Sequence, residues 1–279
     1  MPFLLYAFIF LLGLAVGSFL NVVQLRLEKG KSALQGRSYC PHCRHVLALQ
    51  DLIPVLSFFW LRGKCRYCSG LISFQYPLVE ISTAVIFLAI FNSQLLIFNE
   101  FLILQFFKLL YLFIIASLLI IIFVHDLRHY VIPDKIVYPA IGITLFYKVF
   151  EFGALHNWGF IRNAKLEIGN FEPLLNPLLA AFLGSLFFFA IFMVSRGAWM
   201  GFGDVKLALF MGLFLGWPNI LVALFLAFLI GAIVGIGLIS LKKKEFKSEI
   251  PFGPFLILGT FIALFVGKEL IHWYSNLII

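Results

Sequence analysis

Apolar residues fall in long runs along this chain, and the polar residues collect in the gaps between them. Eight runs stand out, over residues 2–23, 77–98, 101–124, 136–152, 174–194, 198–217, 220–241 and 252–273. They approach the roughly 20 apolar residues that an α-helix needs to cross the hydrocarbon core of a bilayer. The pattern predicts an all-α, polytopic membrane helix bundle of about eight transmembrane helices. The first run lacks a basic start and an A-x-A site, so it reads as a transmembrane helix rather than a cleaved signal. Trp217-Pro218-Asn219 is the clearest helix break. Three segments follow: a first transmembrane helix over 1–23, a loop domain over 24–76, and a transmembrane bundle over 77–279.

Composition sharpens this picture. The chain has 279 residues, is 62% hydrophobic and carries only 12% charged residues, where a soluble domain would be roughly a quarter charged. A soluble globular fold is excluded on that ground. The 35 phenylalanines suit lipid-facing helices and need no cofactor to explain them. Segments 24–76, 125–135, 195–206 and 242–251 hold 16 of the 21 lysines and arginines. Under the positive-inside rule these segments face the cytosol, with both termini outside. The net charge of +8 is therefore a topology signal. Its partner is membrane lipid, and no nucleic acid is implied. The G-x-x-x-G spacings Gly13/Gly17, Gly212/Gly216 and Gly231/Gly235 predict close helix packing.

All four cysteines lie in the largest inner segment, as CPHC (Cys40, Cys43) and CRYC (Cys65, Cys68). Two C-x2-C pairs separated by 21 residues approach the spacing of a zinc ribbon. Four thiolates complete a tetrahedral Zn²⁺ site, and such a closed site is structural. A cytosolic location disfavours disulfides. A redox dithiol and unmetallated structural thiols are the competing readings. His42 and His45 are alternative ligands beside a set that four cysteines already fill. The metal would staple a loop with too few apolar positions to build its own core.

Ionisable residues inside apolar runs are costly, which makes each a functional hypothesis. Glu80, Asp126, Asp134 and Asp204 are the acidic candidates. Asp134 follows Pro133 where a helix should start, so a capping role is at least as good a reading as chemistry. Asp204 stands in GFGDVKL. If its helix starts near residue 198, it lies about 9 Å inside the span. The adjacent Gly201 and Gly203 would then favour irregular backbone lining a wet cavity. Asp126 and Asp204 fall on the same side of the bundle in this topology. Two such carboxylates can share one proton, so that one activates water while the other protonates a scissile carbonyl. The alternatives are interfacial acids paired with Arg128 and Lys206, or the ion-binding carboxylates of an ion-coupled transporter. GFGD lacks the G-x-G-x-x-G pattern of a nucleotide loop.

The ordered segments GSFLNVV (17–23), CPHC, DLIPVLSFFWLRGKCRYC (51–68), ISFQYPLVE (72–80), HDLRHYVIPD (125–134), GFGDVKL (201–207) and PFGPFLILG (251–259) carry a resemblance over nearly the whole chain. The sequence closely resembles the type IV prepilin leader peptidases, GxGD-type aspartyl proteases of the bacterial inner membrane that serve pili and type II secretion. The resemblance implies that Asp126 and Asp204 are the catalytic pair. It implies prepilin or pseudopilin substrates, whose short basic leader precedes an apolar helix and is cut after a glycine at the cytosolic face. Members with the tetracysteine loop also methylate the new N-terminus with S-adenosylmethionine, and the same is implied here. Glu80 matches the family without an assigned role, and residues 153–173 match no motif of it.

Overall fold

The structure is a computed structural model that describes residues 2–30, 32, 36–95, 102–157, 172–241 and 250–278. The expected loop over 153–173 and the basic segment 242–251 lie mostly outside the described residues. The helices are α1 (Pro2–Glu28), α2 (Leu56–Trp60), α3 (Gln75–Leu95), α4 (Leu102–His129), α5 (Asp134–Asn157), α6 (Glu172–Ser195), α7 (Phe202–Leu215), α8 (Asn219–Ser240) and α9 (Gly253–Ile278). A short 3₁₀ turn covers Leu49–Leu52, and no β-strand forms among the described residues. Seven of these helices are long and apolar enough to cross a membrane. The predicted all-helical membrane architecture is what the chain adopts.

The sixth expected span, over residues 198–217, differs. Residues 198–201 are not helical, and α7 starts at Phe202 after Gly201, whose extended backbone (φ −76°, ψ 155°) caps it. The preceding turn runs through Arg196 and Gly197, both at positive φ. Glycine is expensive inside a helix, and the glycines at 197 and 201 end the helical run early on this side. At the other end Gly216 (φ 68°) closes α7, its N–H donating to Gly212 O. The break expected at Trp217-Pro218-Asn219 follows. There the Trp217 N–H donates to Asn176 Oδ1 at 2.6 Å, and Asn176 Nδ2 donates back to Trp217 O at 3.1 Å. Asp204 accordingly belongs to the first turn of a regular helix instead of irregular backbone six residues inside one.

Two compact units divide the chain, Met1–Ile121 and Ile122–Ile279. In the first, α1 and α3 approach closely because glycines face backbone. A side chain on Gly13 would meet Ala84 Cα at 2.5 Å, and one on Gly17 would meet Glu80 Cα at 2.7 Å. Phe87 of α3 stacks on Phe113 of α4 at 4.1 Å.

In the second unit α7 packs against α6 above all, and also against α5, α8 and α9. Most of α7 is buried, from Asp204 to Phe214, as suits a helix that is apolar on every side. Gly212 sits directly on the backbone of Ala180 and Ala181 in α6. The α8–α9 crossing is equally tight at Gly259, which faces the carbonyl of Ala223. That glycine lies outside the three spacings noted in the sequence, whereas Gly235 has only Ile250 Cδ1 near it, at 3.9 Å.

Candidate active site and metal centre

The HDLRHYVIPD segment ends α4 and opens α5. Asp126 lies in the last turn of α4, and Tyr130, at φ 57°, closes that turn by donating its N–H to Asp126 O at 2.9 Å. The chain then passes through Ile132, which is buried, and Pro133, whose carbonyl accepts the first backbone bonds of α5. Ile132 fills the space that two glycines leave open. A side chain on Gly203 would lie 3.0 Å from Ile132 Cβ, and one on Gly253 would lie 3.4 Å from Ile132 Cδ1. The starts of α7 and α9 are thereby fitted around one isoleucine.

Asp126 and Asp204 are brought together in this unit, close enough to interact electrostatically. Both are buried, at 4% and 8% exposure. Each carboxylate accepts a backbone N–H from a glycine at the beginning of a helix. Gly253 of α9 donates to Asp126, and Gly201 ahead of α7 donates to Asp204. A side chain at 253 would collide with Asp126 Oδ2. Phe252 holds this segment in position by packing on Phe228 at 5.0 Å and Phe188 at 6.1 Å between ring centres. Nothing in the sequence marks Gly253 and Ile132 as site residues beyond the PFGPF and HDLRHYVIPD segments in which they stand.

The ion pairs among the described residues include neither Asp126 nor Asp204. Lys206, the proposed neutralising partner, instead donates to Asp134 Oδ1 at 2.6 Å. Its ammonium also stands over the rings of Tyr138 and Phe202, at 5.1 and 5.2 Å. Asp134 begins α5, and its side chain is more than half exposed. Two buried, uncompensated carboxylates within mutual reach cannot both hold a full charge cheaply. Such a pair is able to carry one proton between them and to pass it to and from a bound group.

The first unit holds the four cysteines. All are free, and their Sγ atoms lie within 4.8 Å of one another, an arrangement able to hold a metal ion. Each pair sits in the same local structure. The Cys40 N–H donates to His45 O and the Arg44 N–H to Cys40 O; correspondingly, Cys65 donates to Gly70 O and Ser69 to Cys65 O. Arg44 and Ser69 both take positive φ, at 60° and 56°, and the bridges Tyr39–Val46 and Lys64–Leu71 close the two turns. These are two copies of one knuckle, each offering two thiols to a common point. The His45 ring lies against Tyr67, tilted by 31° with ring centres 3.7 Å apart, and His42 lies against Gly70; neither belongs to the thiol group.

Crowding of the thiols shifts Cys68. The Gly70 N–H lowers its pKa, but burial and hydrogen bonding among the cysteines outweigh that and push it up to about 11. Asp51 ties the 3₁₀ turn to the second knuckle through Arg66 Nε at 2.8 Å and Tyr67 Oη at 3.1 Å. Burial pushes its carboxyl up, but the Ala48 N–H, Tyr67 and Arg66 together hold it below the usual carboxylate range.

Glu80, also in the first unit, is buried on the α1–α3 seam. Its Oε2 accepts the Val55 N–H at 2.7 Å, and the Ser18 hydroxyl donates to the same carboxylate.

The sequence matches two family models. One describes the bacterial peptidase A24 N-terminal domain and covers residues 11–93; the other describes the type IV leader peptidase family and covers residues 113–236. Among curated proteins, a prepilin leader peptidase/N-methyltransferase of Aeromonas hydrophila is 30% identical over 302 residues, spanning 98% of this chain and 95% of that protein. A protein of the same description from Bacillus subtilis is 31% identical, spanning 96% of this chain and 97% of its own length. Another from Pseudomonas aeruginosa is 31% identical, spanning 95% and 91%. No solved structure matches the chain.

Proposed function

Since this chain belongs to the type IV leader peptidase family, we propose that it removes the leader peptide of type IV prepilins or pseudopilins and methylates the amine so released. The observation that carries the cleavage reading is the pair Asp126 and Asp204, buried together and each supported by a glycine N–H. In this reading one carboxylate takes a proton from water as the oxygen adds to the scissile carbonyl. The other gives its proton to the carbonyl oxygen. Collapse of the tetrahedral species breaks the C–N bond: the proton held by the first carboxylate passes to the leaving nitrogen, and one hydroxyl of the gem-diol returns its proton to the second carboxylate as the carboxyl group forms. The pair ends in the protonation state in which it began. Nothing favours the ion-coupled transporter reading.

The remaining assignments rest on residues and on the resemblance described above. The substrate is cut after a glycine at the cytosolic face of the inner membrane, in the service of a pilus or a secretion system. Cys40, Cys43, Cys65 and Cys68 hold one structural Zn²⁺; four thiolates closing on one point are the donor set that this ion prefers. S-adenosylmethionine, when bound, supplies the methyl group to the new N-terminal amine.

The deciding experiment is cleavage of a model prepilin in detergent by Asp126→Asn, Asp204→Asn and the double variant. All three are expected to lose at least about 10⁴-fold, because residues that act as one unit do not lose activity additively. The wild-type rate is expected to pass through a maximum with pH, since the working pair carries a single proton. Normal processing by Asp204→Asn would end the assignment. An Asp134→Asn variant as inactive as Asp204→Asn, beside an active Asp126→Asn, would move the pair to Asp134 and Asp204.

A further inference from the structure

Peptide hydrolysis as derived above leaves Glu80 without a task, although a buried carboxylate is among the most costly groups a membrane helix can carry. Along the seam, Gly13, Gly17 and Asn21 on α1 meet Ala84, Glu80 and Tyr76 on α3, four residues forward on one helix and four back on the other. Ser18 donates to Glu80 from one side and the Val55 N–H from another. Val55 makes that bond from φ 63°, ψ −51°, a conformation that strains a β-branched residue. Two bonds leave a carboxylate with further acceptor capacity, since it offers about four lone-pair positions. None of the ion pairs among the described residues includes Glu80.

One turn along α1, Asn21 is 4% exposed. Its amide donates to Tyr76 O at 3.1 Å, while its Oδ1 accepts from no described residue. An unsatisfied buried acceptor costs about 1–3 kcal/mol unless something donates to it. Asn21 Oδ1 and the spare Glu80 positions are thus two acceptors on one seam, with one negative charge between them. A bare divalent cation wants more oxygen ligands than these two side chains supply. A primary ammonium group, with three donors and a positive charge, matches these acceptors in number and in sign.

We propose that the α1–α3 seam at Ser18, Asn21 and Glu80 binds the primary ammonium group of a methylation reactant. The inference rests on the methyl-transfer reading given above. Both reactants carry such a group: S-adenosylmethionine at its amino-acid end, and the trimmed substrate at its new N-terminus.

Glu80→Gln keeps one oxygen able to accept the Val55 N–H, replaces the other by an amide NH2, which donates, and removes the charge. Full-length Glu80→Gln enzyme is expected to cleave the leader as the wild type does, to keep its tetracysteine metal, and to transfer methyl at least about tenfold more slowly. Equilibrium binding of S-adenosylmethionine and of S-adenosylhomocysteine, which lacks the sulfonium charge but keeps the ammonium, separates the two sources. Weakened binding of both identifies the donor's ammonium, and unchanged binding beside lost transfer identifies the substrate's. Should Glu80→Gln lose cleavage or metal, Asn21→Ala decides by the same measurements. Methyl transfer and binding both at wild-type level in the variant overturn this inference alone. A wild-type enzyme that cleaves but transfers no methyl group overturns the methyl-transfer reading, and this inference with it.

Discussion

Gly253 has no side chain, yet its N–H is one of the groups that hold Asp126. A methyl group at 253 would strike Asp126 Oδ2, the free end of a side chain that can swing away. The fold therefore tolerates Gly253→Ala while the carboxylate leaves its position. We expect this variant to unfold thermally within a few degrees of the wild type but to cleave at least about tenfold more slowly, the worth of a hydrogen bond to a charged acceptor. Comparison of cleavage rate with melting temperature checks it; equal losses in both would mean that Gly253 serves packing alone. Asp126 and Asp204 stand out in the sequence as candidates because a carboxylate in an apolar run is conspicuous. Gly253 does not, since its contribution is a backbone N–H aimed at a residue 127 positions earlier in the chain. Nor does the partner of Lys206, which bypasses Asp204 two positions away and reaches Asp134.

Among the elements, hydrophobic length located the helices because crossing a bilayer requires it, and the described spans follow the expected runs to within a few residues. α7 is shorter than its run at both ends, because Gly201 before it and Gly216 after it, rather than hydropathy, set its limits. Which glycines press against a neighbouring backbone was only partly legible. Gly13, Gly17 and Gly212 do so, Gly235 does not, and Gly259 does so outside any of the three noted spacings. The difference lies in which face of each helix meets a neighbour, and a short spacing pattern carries no such information. Gly259→Ala drives a methyl group into a peptide carbonyl and is expected to destabilise by about 1–3 kcal/mol. Gly235→Ala, with open space around it, is expected to be neutral or stabilising by up to about 1 kcal/mol through helix propensity. Thermal unfolding of both in detergent distinguishes them, and a similar loss in both would contradict the close α8–α9 approach.

At the scale of the whole molecule, the loop between α1 and α3 is held by side-chain chemistry more than by an apolar core: two cysteine knuckles and the Asp51 contacts. Gently purified protein is expected to contain one equivalent of zinc by elemental analysis. Stripping it with a chelator, or replacing Cys65 and Cys68 by serine, should open residues 40–68 to proteolysis while the transmembrane helices keep their helical circular dichroism. Absence of stoichiometric metal would refute this. The tetracysteine spacing was readable because metal geometry acts over a few residues. The Asp51–Arg66–Tyr67 cluster was not, since nothing local joins those positions until the knuckle has formed. The brevity of α7 bears on how lipid enters the reaction. Fourteen residues rise about 21 Å, against a hydrocarbon core of about 30 Å. If its Gly216 end reaches one interface, the Asp204 end stops roughly 9 Å short of the other. A substrate whose own helix lies in that bilayer must then fray below the headgroups before it can be cut. Bilayer thickness and the ease of unwinding the substrate become part of specificity, alongside any side chain that the enzyme reads.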